Sequence, residues 1–122
     1  MSRDPRLYLD DIRESCGYIL DFTSGIAYEN FRADRMRVDA VARNFEMIGE
    51  AARCLPTEIR DAIPEVAWSN VIGMRNILTH AYFGTDTEIL WSAATEKSRR
   101  LNALLRCISP ATSSDVRLLQ LA

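Results

Sequence analysis

Val38-Asp39-Ala40-Val41-Ala42-Arg43-Asn44-Phe45-Glu46-Met47-Ile48-Gly49-Glu50-Ala51-Ala52-Arg53-Cys54-Leu55-Pro56 decides the fold class of this chain. Val38, Val41, Phe45, Ile48, Ala52 and Leu55 recur at steps of three and four, which is the repeat of one helical face. The stripe is narrow, the pattern of a helix laid lengthwise on another. Pro56 has no amide proton to continue the ladder and stops the helix, which begins near Ala33 or Asp34.

The same period extends in both directions. Upstream, Asp4 followed by Pro5 is a favoured helix start. Leu9, Ile12, Cys16, Ile19 and Leu20 form the stripe of that helix, and Gly25 marks its end. Downstream, one or two helical turns capped by Thr57 are expected between Pro56 and Pro64. A third long helix is expected from Trp68 to Tyr82 or Phe83, with Gly84 as its stop. A fourth opens on the capping-box spacing Thr85-Asp86-Thr87-Glu88. Its stripe is Leu90, Ala94, Lys97, Leu101, Leu104, Leu105 and Ile108. Ser109 to Ser114 reads as a flexible stretch, and Val116 to Leu121 is apolar without a fixed place to dock. No alternating strand pattern or hairpin signal occurs. The expected fold is all-α, an antiparallel four-helix bundle over residues 1–108 with a tail at 109–122.

A chain of 122 residues is one domain, and its 48% hydrophobic and 26% charged residues are an ordinary soluble balance. No apolar run approaches the length of a membrane span, and the polar start Met1 to Pro5 lacks a secretory apolar region. Cys16, Cys54 and Cys107 form no CxxC pair, so reduced thiols in a cytoplasm are expected. The net charge of -2 excludes a strongly basic nucleic-acid binder, yet residues 96–122 carry +3. Fourteen of the fifteen cations are Arg, and only Lys97 is Lys.

The single histidine lies in Arg75-Asn76-Ile77-Leu78-Thr79-His80-Ala81-Tyr82. Asn76 and His80 are four apart and share a stripe; Arg75 and Tyr82 are seven apart and share another. Arg75 and His80 are separated by about 140° around a helix, so helical spacing alone does not join them. A bend of the Arg side chain, a loosening of the helix near Gly84, or a second copy of the chain would. An imidazole passes protons near neutral pH, and a guanidinium stabilises charge on a phosphoryl group. RNA carries its own nucleophile in the 2′-OH, so this pair is sufficient to cleave it without a metal. The residues are equally those of a helix-capping His and a surface ion pair of Arg.

This segment resembles the HepT-like ribonuclease toxins of the HEPN superfamily. The pattern Arg, four residues, His, one residue, Tyr is met by Arg75, His80 and Tyr82, with Asn76 after the Arg. The blocks Arg43 to Ala52, Trp68 to Asn76, and Phe83 to Asp86 with Ile89 to Trp91 resemble the family as well. The likeness spans roughly residues 5 to 106. It implies a HEPN helical bundle and a homodimer whose two motifs face one cleft. It implies endoribonuclease activity, metal-independent and without a cofactor, that leaves a cyclic phosphate. His80 would carry protons, Arg75 would steady the transition-state charge, and Asn76 would orient phosphate or imidazole. The resemblance further implies a type II-like toxin–antitoxin system with a nucleotidyltransferase antitoxin as partner. AMPylation of Tyr82 by that partner would add charge and bulk beside His80.

With an acidic overall balance, RNA affinity is expected from a local patch of Arg75 from both protomers with Arg99, Arg100 or Arg106, steeply weakened by salt. Gly49 and Gly73 read as close helix approaches, and Trp68 and Trp91 as core anchors. Zinc held by Cys16, Cys54, Cys107 and His80 is arithmetically possible, but the spacing is unlike known ligand sets, and no metal site is expected. The alternative function is a non-catalytic helical adaptor that binds a nucleotide or the nucleotidyltransferase.

Overall fold

A computed structural model describes residues 3–75 and 87–106. Among the described residues all regular structure is helical. Helix α1 spans Pro5–Thr23. Its start is the expected one: the Asp4 carboxylate accepts from the Arg6 amide at 2.9 Å, and Pro5 occupies the first turn, where a missing N–H is harmless. It ends at Ser24, and Gly25 follows with φ +73°, a backbone shape that favours glycine.

Helix α2, Tyr28–Ala33, is a short helix the hydrophobic period did not predict. It exists because Phe31 is wholly buried and packs its ring, tilted, against Trp91 with centroids 5.0 Å apart. The Tyr28 hydroxyl also shares a 2.9 Å hydrogen bond with the Thr87 hydroxyl. Helix α3, Arg35–Cys54, is capped by Asp34, which accepts from the Arg37 amide at 3.2 Å. Val41, Phe45, Ile48, Ala52 and Leu55 are buried as the stripe requires, and Val38 packs on the cluster they form. The Arg37 guanidinium donates to the Phe22 carbonyl at 2.9 Å, which locks the end of α1 to the start of α3.

Helix α4, Thr57–Asp61, corrects one expectation: Pro56, not Thr57, is its N-cap, and no side-chain cap bond forms. The proline ring holds φ at -57°, ready for the helix that follows, so Thr57 already belongs to the first turn. Helix α5 begins at 68 and is described through 75. Trp68 anchors it, buried with its indole N–H on the Ile63 carbonyl at 3.0 Å. Helix α6, Thr87–Ser92, runs through a π-helical segment, Ala93–Lys97, into α7, Ser98–Arg106. Thr85 and Asp86 of the expected capping box lie outside the described residues, as do His80 and the tail from 107 onward.

The π segment corrects the stripe of this last helix. Lys97 is exposed, and Ser98 takes the inward place beside Ala93, Ala94, Leu101 and Leu105. A π turn holds an extra residue, so every later side chain advances around the axis relative to a 3.6-residue count. The buried Ser98 hydroxyl is satisfied by donating to the Ala94 carbonyl, and Thr95 donates to the Trp91 carbonyl at 2.9 Å. Such back-bonding loosens a helix where the extra residue sits.

The helices form an all-α bundle around one core. Helix α1 packs along α3 and also against α7. Arg13 donates to the Leu105 carbonyl at 3.2 Å and pins the end of α7 to α1. Cys16 is fully buried, and desolvation pushes its thiol up to about 12. No described helix is long and apolar enough to cross a membrane.

Candidate functional site

The described part of α5 ends on Arg75, and α3 determines where Arg75 stands. Gly49 is buried where the two helices meet. A Cβ placed there would lie 3.5 Å from the Val71 and Ile72 carbonyls and 3.6 Å from the Arg75 Cβ. Gly49 is therefore the close approach expected of it. At Gly73 a Cβ would meet nothing within 4 Å among the described residues of one chain. The next residue of α3, Glu50, receives the Arg75 guanidinium: Nη1 donates to Oε2 at 3.1 Å. A Gly-Glu pair thus both seats α5 and holds its Arg75 guanidinium.

Glu50 is shared. Its Oε1 accepts from Arg53 Nη2 at 2.6 Å, and the Cys54 thiol lies 3.9 Å from the same oxygen. The Arg53 hydrogen bond above all, and then the charges of Arg53 and Arg75, hold the Glu50 carboxyl below its ordinary range. The carboxylate is half exposed, so these contacts orient the guanidiniums more than they stabilise the fold. Arg75 itself is 57% exposed and opens on a cleft of about 500 Å³ between α1 and α3.

Asn76, His80 and Tyr82 lie outside the described residues. Arg99, Arg100 and Arg106 are exposed on α7, and none lines the Arg75 cleft. Arg100 borders a second hollow of about 230 Å³, bounded by α3, α5 and α7 and lined by Phe45, Ile48, Met74, Leu101 and Leu104. Trp68 is a core anchor, and Trp91 packs against Phe31 and Tyr28 as the other. Among the described residues no cluster of His, Cys, Asp and Glu is arranged for a metal ion.

Sequence reasoning passed over Glu50, Arg53, Arg43 and Arg3. A signal for three of them was present: Arg43, Glu46, Glu50 and Arg53 recur at steps of three and four on the side of α3 opposite its apolar seam. A solvated helix face shows the same charge pattern, and only the position of α5 distinguishes the two.

Comparisons with known proteins agree with one another. The sequence model of the family described as "Ribonuclease HepT-like" matches residues 12–108. A Methanocaldococcus jannaschii protein named "Putative RNase" is 42% identical over 94 residues, covering 77% of this chain and 86% of its own. A Thermococcus cleftensis protein named "Probable ribonuclease HepT" is 40% identical over 96 residues, covering 79% and 87%. A "Putative RNase" of Caldanaerobacter subterraneus is 38% identical over 89 residues, covering 73% and 80%. No solved structure matches. On the family match over most of its length, the chain belongs to the HepT-like ribonuclease family.

Proposed function

We propose that this protein is a cytoplasmic endoribonuclease toxin that cleaves RNA without a metal and acts as a homodimer. The observation that carries the reading is Arg75, an exposed guanidinium at the lip of a cleft, oriented from beneath by a carboxylate on a neighbouring helix. It occupies the arginine position of a motif whose imidazole, His80, follows five residues later. In the proposed reaction His80 takes the proton of a ribose 2′-OH. That oxygen attacks the adjacent phosphorus, the bond to the 5′ oxygen breaks as that oxygen takes a proton from the His80 imidazolium, and a 2′,3′-cyclic phosphate and a 5′-OH result. Arg75 stabilises the charge that builds on the phosphoryl oxygens. Asn76 orients the phosphate or the imidazole.

In this reading a second protomer supplies the geometry that helical spacing withholds from Arg75 and His80. A nucleotidyltransferase antitoxin silences the enzyme by transferring AMP to Tyr82. The tyrosine oxygen bonds to the α-phosphorus of ATP, and pyrophosphate leaves. The adduct brings a negative charge to the mouth of the site and repels RNA.

The test is digestion of RNA by purified parent, Arg75→Ala and His80→Ala proteins with a chelator present. Cleavage by the parent alone supports the assignment. Activity that disappears with the chelator, or survives both substitutions, defeats it. The engagement of Arg75 by Glu50 favours one other reading, a non-catalytic adaptor in which Arg75 is a structural ion pair. That reading requires a parent that cuts nothing, yet binds a nucleotide or the nucleotidyltransferase.

A further inference from the structure

Four guanidiniums line the cleft around Arg75: its own and those of Arg3, Arg43 and Arg53. Among the described residues three carboxylates, Asp11, Glu46 and Glu50, stand among them. Arg3 lies 2.6 Å from Asp11, Arg43 3.2 Å from Glu46, and Arg53 2.6 Å from Glu50. Glu50 gives its other oxygen to Arg75, so two guanidiniums from two helices are held one carboxylate apart. A phosphate that bridged them would take the place the Glu50 carboxylate holds between them. Arg3 also rests over the Tyr8 ring, 5.0 Å from its centroid.

The arginine side chains in these pairs are 42 to 70% exposed. Ion pairs this open contribute little to the stability of the fold. An arriving phosphate can replace a carboxylate partner at little cost, and the planar Arg fork matches phosphate oxygens two at a time. A groove with cations along its wall and a ring beside them is the arrangement that binds single strands with little regard to sequence. The second hollow, bounded by α7, is lined mainly by apolar side chains and carries two cations, Lys97 and Arg100, against the four guanidiniums of the Arg75 cleft.

We infer that the cleft between α1 and α3 is a track for single-stranded polynucleotide. Arg53, Arg43 and Arg3 hold backbone phosphates on the approach to Arg75, and Tyr8 offers its ring to a base. The inference rests on the ribonuclease reading for the choice of RNA as ligand, but binding is measured separately from cutting. Of the α7 arginines, Arg100 borders the other hollow, and none of the three lines the Arg75 cleft.

The experiment titrates the full chain with a 2′-O-methyl oligonucleotide, which lacks the attacking hydroxyl, over a series of salt concentrations. Each phosphate contact on a single strand adds about 0.7 to the slope of log affinity against log salt. Arg53→Ala and Arg43→Ala should each weaken binding and flatten the slope by about 0.7, and Arg53→Lys should retain most of the slope. With cleavable RNA, the two alanine variants should raise KM, the signature of lost ground-state binding. Arg43 is 70% exposed, so its variant stays folded and reads the track even where Arg53→Ala does not.

Unchanged slopes in both variants would overturn the inference. So would a slope that flattens on Arg99→Ala or Arg100→Ala instead, inorganic phosphate or AMP competing as strongly as the strand, or a parent that binds no strand. A parent that binds the strand through Arg53 and Arg43 but leaves RNA intact supports the track and defeats the ribonuclease reading alone.

Discussion

The two hollows that border α5 differ in kind, although α3 contributes to both. One is a cleft of about 500 Å³ in which Arg3, just before α1, and arginines from α3 and α5 are laced with carboxylates. The other, of about 230 Å³, is walled by Phe45, Ile48, Met74, Leu101 and Leu104. Phe45 and Ile48 belong to the apolar seam of α3, and Arg43, Glu46, Glu50 and Arg53 to its charged stripe. One helix with two chemically opposite faces therefore makes a core wall on one side and a site wall on the other. The lesson concerns charge: a chain of net -2 can still gather four guanidiniums in one cleft, and placement, not total, decides affinity for phosphate.

The sharpest way to break this contrast is to truncate one wall at a time. Phe45→Ala on the apolar side should lower unfolding free energy by about 3–5 kcal/mol, read by chemical denaturation. Arg75→Ala on the charged side should leave that midpoint nearly unmoved while single-turnover RNA cleavage falls by about 100- to 1000-fold. If Arg75→Ala unfolds the chain, or Phe45→Ala spares it, the division between core wall and site wall is wrong.

A smaller effect sharpens the role of the helix crossing between them. The Gly49 backbone is close to α5 but not jammed against it, since a Cβ would sit at ordinary contact distance from the Val71 and Ile72 carbonyls. Gly49→Ala should thus keep the fold and recover up to about 1 kcal/mol of helix propensity. A branched residue in its place should push α5 away and detach Arg75 from Glu50. Thermal melting and the cleavage rate, measured together, separate the two outcomes.

The smallest effect belongs to Glu50. Its folded carboxyl titrates below its ordinary value of 4.5, with the Arg53 hydrogen bond the largest cause. A depressed carboxylate contributes stability that is present above the unfolded pKa and fades as pH falls through the lowered folded one. Glu50→Gln should consequently melt slightly below the parent at neutral pH, and the gap should close in acid below pH 4. A gap that widens in acid would mean that Glu50 is not held by its arginines.

Much of the architecture was legible because it is local. The Asp4-Pro5 start, the beginning of α3 near Asp34, the Pro56 stop and the apolar seams of α1 and α3 each depend on residues within a turn or two of one another. Helix α2 was not legible, because a six-residue segment has too few turns to show a period and owes its place to Phe31 meeting Trp91. Lys97 was misplaced because counting by 3.6 assumes an unbroken α-helix, and the π segment breaks the count.

For the site, the linear chain carried the motif Arg75, Asn76, His80 and Tyr82, and with the blocks around it the family, since reactive residue types at set intervals can be read without coordinates. It could not show that Glu50 and Arg53 stand beside Arg75. Those residues are 25 and 22 positions away, and what unites them is the crossing of two helices at Gly49. Helical periodicity records which side of a helix is apolar; which polar side meets which neighbour is settled only when the helices pack.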